Sequence, residues 1–575
     1  MTLTPHPLLA FRVCLYSAVQ GLAICAISWA FVAHASPPAL FDGCSGDRCS
    51  IISRQVGDYD SDDIVSSLQI QASIQQGGSD EKAIAIRGER AREGGRQGAM
   101  EENEDVDSIP RCASGKYCPH IMLLVGDDVG WNSVPWNRPE LETYLPTMAQ
   151  MASDGITLNR HYGFSLCSPS RSSLLTGRLP HHVLQSSLQP CSTFCVAQDM
   201  TFIQEKLKQA GYSTHAIGKW HIGHAEKQCL PTKRGFDTFF GYFTGRVDVW
   251  TEESQFYVGV PLLDLWEDDQ PAYNKTNTGY VDELFSEAAV DILESHPTLT
   301  PLFLYLGFRG AHPPHQAPWV PQNMPDDWCE DDKNITAMMQ VIDRTLLKIA
   351  ATLKDRAMWE HTLLVWISDN GAHLSVPAKA ACPSPNFPLR GGKSTAYEGG
   401  MRLPAFLSGG FLPSDVRGTT QDGNVHLADW YATFCRLAGV DFADARAEAA
   451  GLLSVDSLDL WPLLSGANVT SARQDMLLSG MNANGYCTQM AMITNDYKII
   501  VDPELYDEFQ LYNVRLDPGE SRNLFHIEVA IAQQMLDRMR LLIRTQVQDD
   551  PKTLSTSCSE PMRELYGNFI GPWIG

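Results

Sequence analysis

The chain is short of positive charge: 44 lysine and arginine residues stand against 68 aspartate and glutamate residues, giving a formal net charge of −24 at pH 7. Such a protein repels nucleic acids and anionic membranes at long range, so neither is expected as a stable partner. An anionic substrate would need a local basic pocket, because the average field opposes its approach.

Aromatic residues are nearly missing from residues 36–111, where only two occur among many Gly, Ser, Asp and Glu. A stretch of this composition does not pack a core by itself. We predict a flexible charged spacer or propeptide over 36–115, with a separate module held by Cys44 and Cys49 as the alternative. No internal repeat is found in the chain.

An apolar run from Val13 to Val32 follows Arg12 and precedes Ala33-His34-Ala35, which fits the small-x-small rule for cleavage. We predict a signal peptide over 1–35. The run is also about long enough to span a bilayer, so an uncleaved anchor is the alternative. Both interpretations place the protein in the secretory pathway, either extracellular or in a lysosome-like acidic compartment.

The 15 cysteines suit that compartment. Cys14 and Cys25 would leave with the signal peptide, and setting Cys167 aside leaves twelve, an even number compatible with disulfides. Three Asn-x-Ser/Thr acceptors are also consistent with secretion: Asn274, Asn334 and Asn468.

After the spacer, short apolar runs alternate with helix-like stretches, which indicates an α/β domain. The length of 575 residues predicts one large domain, over 116–470, and a smaller C-terminal domain, over 471–575. Four runs have the length of strands: Ile121 to Val125, Tyr212 to Ile217, Pro301 to Phe308 and Leu363 to Ser368.

Polar residues follow each of these four runs. They are, in chain order, Asp127, Asp128, Lys219, His221, His312, Asp369 and Asn370. The carboxyl ends of strands line the ligand crevice of an α/β sheet. Each residue alone could belong to a turn, a helix cap or a solvated surface, but the complete set predicts one site.

The sequence Cys-x-Pro-x-Arg occurs from Cys167 to Arg171 and is followed by a stretch that predicts a helix ending near Gly177. Ser168 is the predicted N-cap and Pro169 the first helical residue, so Cys167 would face a helix N-terminus. Taken alone, Cys167 would more simply be a disulfide partner or a buried thiol.

The segment from Leu166 to Arg178 resembles the signature of the sulfatase family, in which an enzyme of the endoplasmic reticulum oxidises the cysteine to formylglycine. The resemblance covers most of residues 118–530. It continues in four further motifs: Gly126 to Trp131, Gly218 to Gly223, Pro388 to Lys393 and Glu398 to Arg402. Within the family, residues 190–237 resemble the arylsulfatase B branch, the N-acetylgalactosamine 4-sulfatases.

The resemblance implies the alkaline-phosphatase-like fold: a large mixed sheet flanked by helices, then a smaller domain with an antiparallel sheet and a C-terminal helix. It also implies two disulfides, Cys195 with Cys229 and Cys191 with a C-terminal partner such as Cys558. The formylglycine-generating enzyme would be a partner during maturation.

A sulfate monoester is a stable anion, so its hydrolysis needs a strong nucleophile, neutralisation of the sulfate oxygens and protonation of the leaving alcohol. Hydrated formylglycine at position 167 would supply one hydroxyl to attack sulfur and a second whose deprotonation expels sulfate. The resemblance implies that Lys219 and Lys393 clamp the sulfate and that Arg171 stabilises the diol. His312 would be the general acid, and His221 would hold or deprotonate the second hydroxyl.

One divalent metal ion per chain is expected, because four of the collected residues offer hard oxygen ligands. The predicted ligands are Asp127, Asp128, Cys167 as formylglycine, Asp369 and Asn370. The resemblance implies Ca²⁺ rather than Mg²⁺.

Three positions depart from the family pattern. Gly126 stands where alanine is usual, and Ala372-His373 replaces the usual glycine after Asp-Asn-Gly. The segment from Thr244 to Trp250 differs from the aromatic pair of arylsulfatase B, so its sugar specificity is not carried over.

The sequence therefore predicts a sulfuric ester hydrolase of the arylsulfatase type that acts on sulfated carbohydrates or aryl sulfates. A phosphomonoester or phosphonate hydrolase of the same superfamily is one alternative. A sulfated-glycan-binding protein without catalysis is the other.

Overall fold

The computed structural model describes residues 109–254, 261–319, 322–374, 384–467, 470–480, 489–502, 509–547 and 558–574. The predicted signal peptide, most of the predicted spacer and Asn468 lie outside the described residues. Of the other two glycosylation acceptors, Asn274 is exposed and Asn334 is half-buried. Within the described part of the chain, no helix is both long and apolar enough to cross a membrane.

Three sheets are built from the following strands: β1 (His120–Gly126), β2 (Ile156–Leu158), β3 (His161–Tyr162), β4 (Ser213–Lys219), β5 (Thr238–Tyr242), β6 (Trp266–Glu267), β7 (Gln270–Pro271), β8 (Leu302–Gly307), β9 (Thr362–Ser368), β10 (Ala405–Ser408), β11 (Thr419–Gln421), β12 (Val425–His426), β13 (Asp475–Ser479), β14 (Met490–Thr494), β15 (Tyr497–Val501) and β16 (Phe509–Asn513). The largest has ten strands in the order β11-β2-β10-β9-β1-β8-β4-β5-β6-β7. It is mixed, since β9, β1, β8, β4 and β5 run parallel while β10 is antiparallel to β9.

All four predicted strands are present, at the centre of this sheet, as β1, β4, β8 and β9. Their continuous apolar sequences follow from burial on both faces. In β1, Leu123 and Val125 pack on one side of the sheet, whereas Met122 and Leu124 pack on the other.

Helices pack on both faces of the largest sheet. The α-helices among the described residues are α1 (Pro146–Ser153), α2 (Cys167–Thr176), α3 (Ile203–Gln209), α4 (Val281–Ser295), α5 (Glu330–Asp355), α6 (Glu398–Met401), α7 (Asp429–Leu437), α8 (Ala445–Ala449), α9 (Trp461–Leu464), α10 (Val529–Ile543) and α11 (Ser559–Tyr566). The longest, α5, buries one apolar stripe with helical spacing: Ile335, Met339, Ile342, Leu346, Ile349 and Leu353. This stripe fixes which face of α5 meets the sheet.

Helix α2 begins earlier than predicted. Its N-cap is the extended residue Leu166, and Cys167 is the first helical residue. The prediction of Ser168 as N-cap was wrong, because its hydroxyl accepts a hydrogen bond from the backbone nitrogen of Leu188 at 3.1 Å. The predicted end is confirmed, since Gly177 closes the helix in the left-handed conformation with φ of 67°.

The C-terminal region contains the antiparallel sheet β13-β14-β15-β16. One face packs against α10, where Leu477, Met492 and Leu511 meet Met535 and Met539. Both disulfides implied by the resemblance are present: Cys195 is bonded to Cys229, and Cys191 to Cys558 across 367 residues. A third disulfide joins Cys112 and Cys118.

A buried cluster of ion pairs connects the C-terminal sheet with the rest of the chain. The Lys498 amino group, on β15, lies 2.9 Å from a carboxylate oxygen of Glu398 and 3.1 Å from one of Glu520, and all three side chains are fully buried. Glu398 begins α6, five residues beyond Lys393.

Replacing Lys498 with methionine should therefore destabilise the protein by about 3–5 kcal/mol, because two buried carboxylates lose their shared cation. The free energy of unfolding in urea measures this loss. The control is Arg538→Met, which breaks the exposed pair between Arg538 and Asp475 and should cost at most about 1 kcal/mol. If both variants lost the same free energy of unfolding, the buried ion pairs would not be more stabilising than the exposed pair.

Candidate active site

Four adjacent parallel strands end at the same edge of the sheet and carry the predicted site residues there. In register, Gly126 at the end of β1 pairs with Ser368 of β9, and Gly307 of β8 pairs with Gly218 of β4. The residues that follow these positions therefore meet, as the sequence predicts. Helix α2 brings Cys167 to the same place.

Cys167 is buried in this site, with its sulfur 3.6 Å from Asp127 Oδ1 and 4.0 Å from Asp128 Oδ1. Burial raises the pKa of the Cys167 thiol to about 12, although Lys219 and Lys393 act in the opposite direction. The unmodified thiol is therefore protonated at neutral pH and is a weak nucleophile.

Each of the two neighbouring carboxylates contacts a lysine. Lys219 Nζ lies 2.8 and 2.9 Å from the oxygens of Asp127, and Lys393 Nζ lies 2.6 and 2.8 Å from those of Asp128. Asn370 Nδ2 donates a further hydrogen bond of 2.6 Å to Asp128. Burial outweighs the charge of Lys219 and holds the pKa of Asp127 above its usual range.

Arg171, fully buried in α2, orients Asp369. Its Nε and Nη2 lie 2.9 and 2.8 Å from Asp369 Oδ2, and its Nη1 donates to the Tyr305 hydroxyl at 2.7 Å. Burial opposes ionisation of Asp369, but Arg171, Lys219 and Lys393 together lower its pKa. Sequence reasoning missed Tyr305, because a tyrosine inside a central strand resembles an ordinary core residue.

The two histidines present different ring nitrogens to the site. His312 Nδ1 donates to the Pro313 carbonyl at 2.6 Å, which leaves Nε2 facing Asp128 at 3.8 Å. His221 Nε2 donates to the Leu188 carbonyl at 3.0 Å, and its buried Nδ1 has no hydrogen-bond partner among the described residues. Burial, followed by the nearby lysines, lowers both pKa values well below the usual range.

Backbone strain occurs at two residues of this site, as it does at eight other non-glycine positions among the described residues. Asp128 and His221 adopt positive φ values of 57° and 56°, which side chains with a Cβ rarely adopt. Such conformations cost about 1–3 kcal/mol each and cluster at functional sites. The presence of glycine at position 126 has a steric explanation, because a Cβ at this position would lie 2.7 Å from Val129 Cγ2.

The donor atoms fit a hard divalent cation. One ligand atom from each of Asp127, Asp128, Cys167 and His312 lies within 4.8 Å of the others. Asn370 Oδ1 is buried without a hydrogen-bond partner among the described residues. Carboxylate and amide oxygens in such a cluster suit Ca²⁺ or Mg²⁺. Asp369 adjoins the cluster, with its Oδ1 accepting from the Asp128 backbone nitrogen at 3.2 Å.

The structure thus brings the predicted residues to one edge of the sheet. His221 contacts the group least directly, through Leu188 and through its electrostatic interaction with Lys219. His373, which departs from the family pattern, is exposed beside the site.

A family model described as Sulfatase matches residues 119–440, more than half of the chain. The chain therefore belongs to the sulfatase family. Arylsulfatase J of Mus musculus is 29% identical over 521 residues, which cover 81% of this chain and 82% of that protein. N-acetylgalactosamine-6-sulfatase of Canis lupus familiaris is 30% identical over 372 residues, which cover 61% and 67%.

Solved structures agree with this assignment. Ps i-CgsB in complex with k-i-k-neocarrahexaose is 26% identical, with a TM-score of 0.64 over 78% of this chain and 97% of that chain. The PsFucS1 sulfatase from Pseudoalteromonas sp. shares the fold at 22% identity, with a TM-score of 0.57 over 75% and 92%. The predicted alkaline-phosphatase-like fold is confirmed. The resemblance to the arylsulfatase B branch stays a prediction.

Proposed function

We propose that this sulfatase hydrolyses sulfate monoesters of carbohydrates with formylglycine made from Cys167. The observation that carries the proposal is the position of Cys167: the first residue of α2, buried, beside two carboxylates, with a thiol pKa raised to about 12. A thiol in that state is poorly suited to attack sulfur. Its sulfur marks the position of the formylglycine side-chain oxygens.

The hydrated aldehyde would supply one hydroxyl for attack at sulfur and a second whose deprotonation releases sulfate. Lys219 and Lys393 are positioned to neutralise sulfate oxygens, because both amino groups lie within the carboxylate cluster. Arg171 acts through Asp369, which it holds in place by an ion pair.

Proton transfer falls to the two histidines. His312 Nε2 faces the site, and an arriving sulfate anion favours its protonated form, so this atom can deliver a proton to the leaving oxygen. His221 Nδ1 can accept the proton of the diol's second hydroxyl, because Nε2 is held as the donor to Leu188.

A divalent ion held by Asp127, Asp128, Asp369, Asn370 and residue 167 would orient the diol and withdraw negative charge when bound. We propose Ca²⁺ as this ion, because the ligands are hard oxygen atoms and the resemblance to the family implies Ca²⁺ rather than Mg²⁺.

Mass spectrometry of the peptide containing residue 167 tests the nucleophile. Protein from a secretory host should show a mass about 18 Da below that of the cysteine form, because an aldehyde replaces the thiol. The peptide containing Cys435, the other buried free cysteine among the described residues, is the internal control and should keep its thiol. If active protein contained Cys167 exclusively in the unmodified form, the mechanism would be rejected.

A phosphomonoesterase is the competing enzyme, because tetrahedral anions share this kind of site. Hydrolysis of paired aryl sulfate and aryl phosphate esters separates the two, and we expect the sulfate ester to have the larger kcat/KM. Faster phosphate hydrolysis would favour the competing function.

The remaining sequence predictions stand as proposals. We propose a signal peptide over 1–35, a spacer over 36–115, a catalytic domain over 116–470 and a C-terminal domain over 471–575. Export to an extracellular or lysosome-like compartment and modification by the formylglycine-generating enzyme follow from that organisation. Substrate assays start with N-acetylgalactosamine sulfates, because residues 190–237 resemble the arylsulfatase B branch, and they compare other sulfated sugars, because the segment from Thr244 to Trp250 differs from that branch.

A further inference from the structure

A segment that is distant in sequence packs against the loop that follows β4. It comprises residues 558–574, which we call the strap, and it includes α11. Its first residue, Cys558, is bonded to Cys191. Further along, the carbonyl oxygen of Ile570 accepts a hydrogen bond of 2.7 Å from Trp266 Nε1. These contacts hold the strap beside β6, near one edge of the largest sheet.

The strap is hydrogen-bonded to the main chain of the loop after β4. This loop comprises residues 221–226, and we call it the histidine loop because it begins with His221. The backbone nitrogens of Trp573 and Ile574 both donate to the carbonyl oxygen of Ala225, each at 2.9 Å. Two donors from the strap therefore hold the main chain four residues beyond His221.

The side chain of Trp573 contacts His224 of the same loop. Their ring centroids lie 5.5 Å apart, with an angle of 68° between the rings. His224 is buried and also stacks on Phe243, at a centroid distance of 6.0 Å. The carbonyl oxygen of Phe243 in turn accepts the backbone N–H of His221 at 3.2 Å. Contacts therefore run without interruption from Trp573 to the backbone of His221.

The two histidines of the loop are also neighbours through their side chains. His221 and His224 both line a cavity of about 10 Å³, to which Leu188 also contributes. The Leu188 carbonyl accepts the hydrogen bond from His221 Nε2 at 3.0 Å. A cavity of this size holds at most about one water molecule. Because protein interiors are close-packed, a displacement of the His224 ring is transmitted to His221.

A cross-linked segment also packs closely on the histidine loop. Gly223 has a φ of 109°, and a Cβ at this position would lie 2.6 Å from the carbonyl oxygen of Phe194 and 2.9 Å from Cys195 Cα. Cys195 is bonded to Cys229. A substitution in the strap can therefore loosen the histidine loop while this disulfide stays intact.

We propose that Trp573 is a positioning residue for His221, because the strap keeps the histidine loop where His221 Nδ1 can accept the proton of the diol's second hydroxyl. The inference rests on the proposed function. In that step the O–H electron pair becomes part of a C=O bond, and the bond between the diol carbon and the sulfate oxygen breaks with its electrons on sulfate. The step follows the attack on sulfur, so Trp573 should affect the release of sulfate and leave the attack unchanged.

Steady-state kinetics of Trp573→Ala on an aryl sulfate tests this assignment. We expect kcat and KM to fall together by about tenfold, with kcat/KM unchanged, because release becomes slower than attack and a displaced general base loses part of its effect. A merely structural defect would instead reduce the number of active molecules, which lowers kcat and leaves KM unchanged. Trp573→Leu leaves a smaller packing defect and gives the same comparison if the alanine variant does not fold.

Hydrogen–deuterium exchange gives a second readout, which does not depend on activity. Peptides that cover the histidine loop should exchange about tenfold faster in Trp573→Ala, because the loop opens locally more often. Peptides from α2 should exchange as in the wild type. Unchanged exchange in the histidine loop would contradict the proposed restraint by the strap.

Two further variants serve as controls. Trp573→Phe keeps an aromatic ring against His224 and should restore the wild-type constants. Trp461→Ala removes another half-buried tryptophan, which lies in α9 and stacks on Phe411 at 5.3 Å, and it should keep wild-type kcat, KM and exchange. Wild-type kcat in Trp573→Ala, or a lower kcat with unchanged KM, would overturn the inference.

His221→Ala separates this inference from the proposed function. It should show the same joint fall of kcat and KM, by about 10²-fold or more, because the general base itself is lost. If kcat/KM falls in His221→Ala instead, the proposed role of His221 in sulfate release is wrong. If His221→Ala shows the joint fall and Trp573→Ala does not, only the role of the strap is wrong.

Discussion

Cys167→Ala should reduce kcat for sulfate ester hydrolysis by about 10⁴-fold or more, to the level of the background reaction, because the variant has no group that can become the nucleophile. Neither lysine, arginine nor histidine at the site can replace a diol, since none offers two hydroxyls on one carbon. Turnover of an aryl sulfate by purified protein measures the loss.

Cys435→Ala is the matched control, because Cys435 is also a buried free cysteine and lies in α7, within the hydrophobic core. It should keep wild-type turnover. Both variants should unfold at similar temperatures, since each loses a single sulfur from a buried position. Activity retained in Cys167→Ala would mean that another residue attacks sulfur.

Asp128→Asn is expected to lower kcat/KM by about 10³-fold, because loss of metal-ion catalysis is worth several kcal/mol. Asparagine preserves the shape of the side chain but removes the charge that contacts Lys393 and faces His312. It also removes a hard ligand from the cluster formed with Asp127 and Cys167. Steady-state kinetics on an aryl sulfate measures the fall.

Metal dependence provides the second measurement for this variant. A chelator should inactivate the wild type, and Ca²⁺ should restore activity, whereas Asp128→Asn should respond weakly to both. Asp154→Asn changes an exposed carboxylate that contacts Gln150, and it should behave as the wild type. Full activity of Asp128→Asn in the presence of chelator would contradict a metal site at this position.

The central sheet and the collected site were predictable from sequence, for a physical reason. A strand buried on both faces is a continuous apolar run, and polar residues next to its end mark the carboxyl edge of the sheet. Asp127, Lys219, His312 and Asp369 could therefore be assigned to one site before any contact between them was known.

Other features depend on tertiary contacts that no local pattern reports. Ser168 has the sequence context of an N-cap, yet its hydroxyl bonds to Leu188, twenty residues away. Tyr305 gains its contact with Arg171 only when α2 packs against the sheet. Lys498 forms an ion pair with Glu398, which lies 100 residues away in the sequence. Neither composition nor periodicity predicts this pair.

Substrate specificity was the least predictable property. The segment around Arg246 could be recognised as different from its arylsulfatase B counterpart, but the sequence does not show which residues this segment contacts. Only the folded chain shows that Arg246 lies against Pro313, next to His312.

The disulfide between Cys191 and Cys558 has a consequence for the timing of biosynthesis. Its partners are separated by 367 residues, which a ribosome needs about 20–70 s to add at 5–20 residues per second. Throughout that interval Cys191 cannot form its native bond, although it lies only 24 residues beyond Cys167. If the chain is exported during its synthesis, as proposed, the segment that holds the nucleophile is therefore translocated well before the disulfide next to it can close.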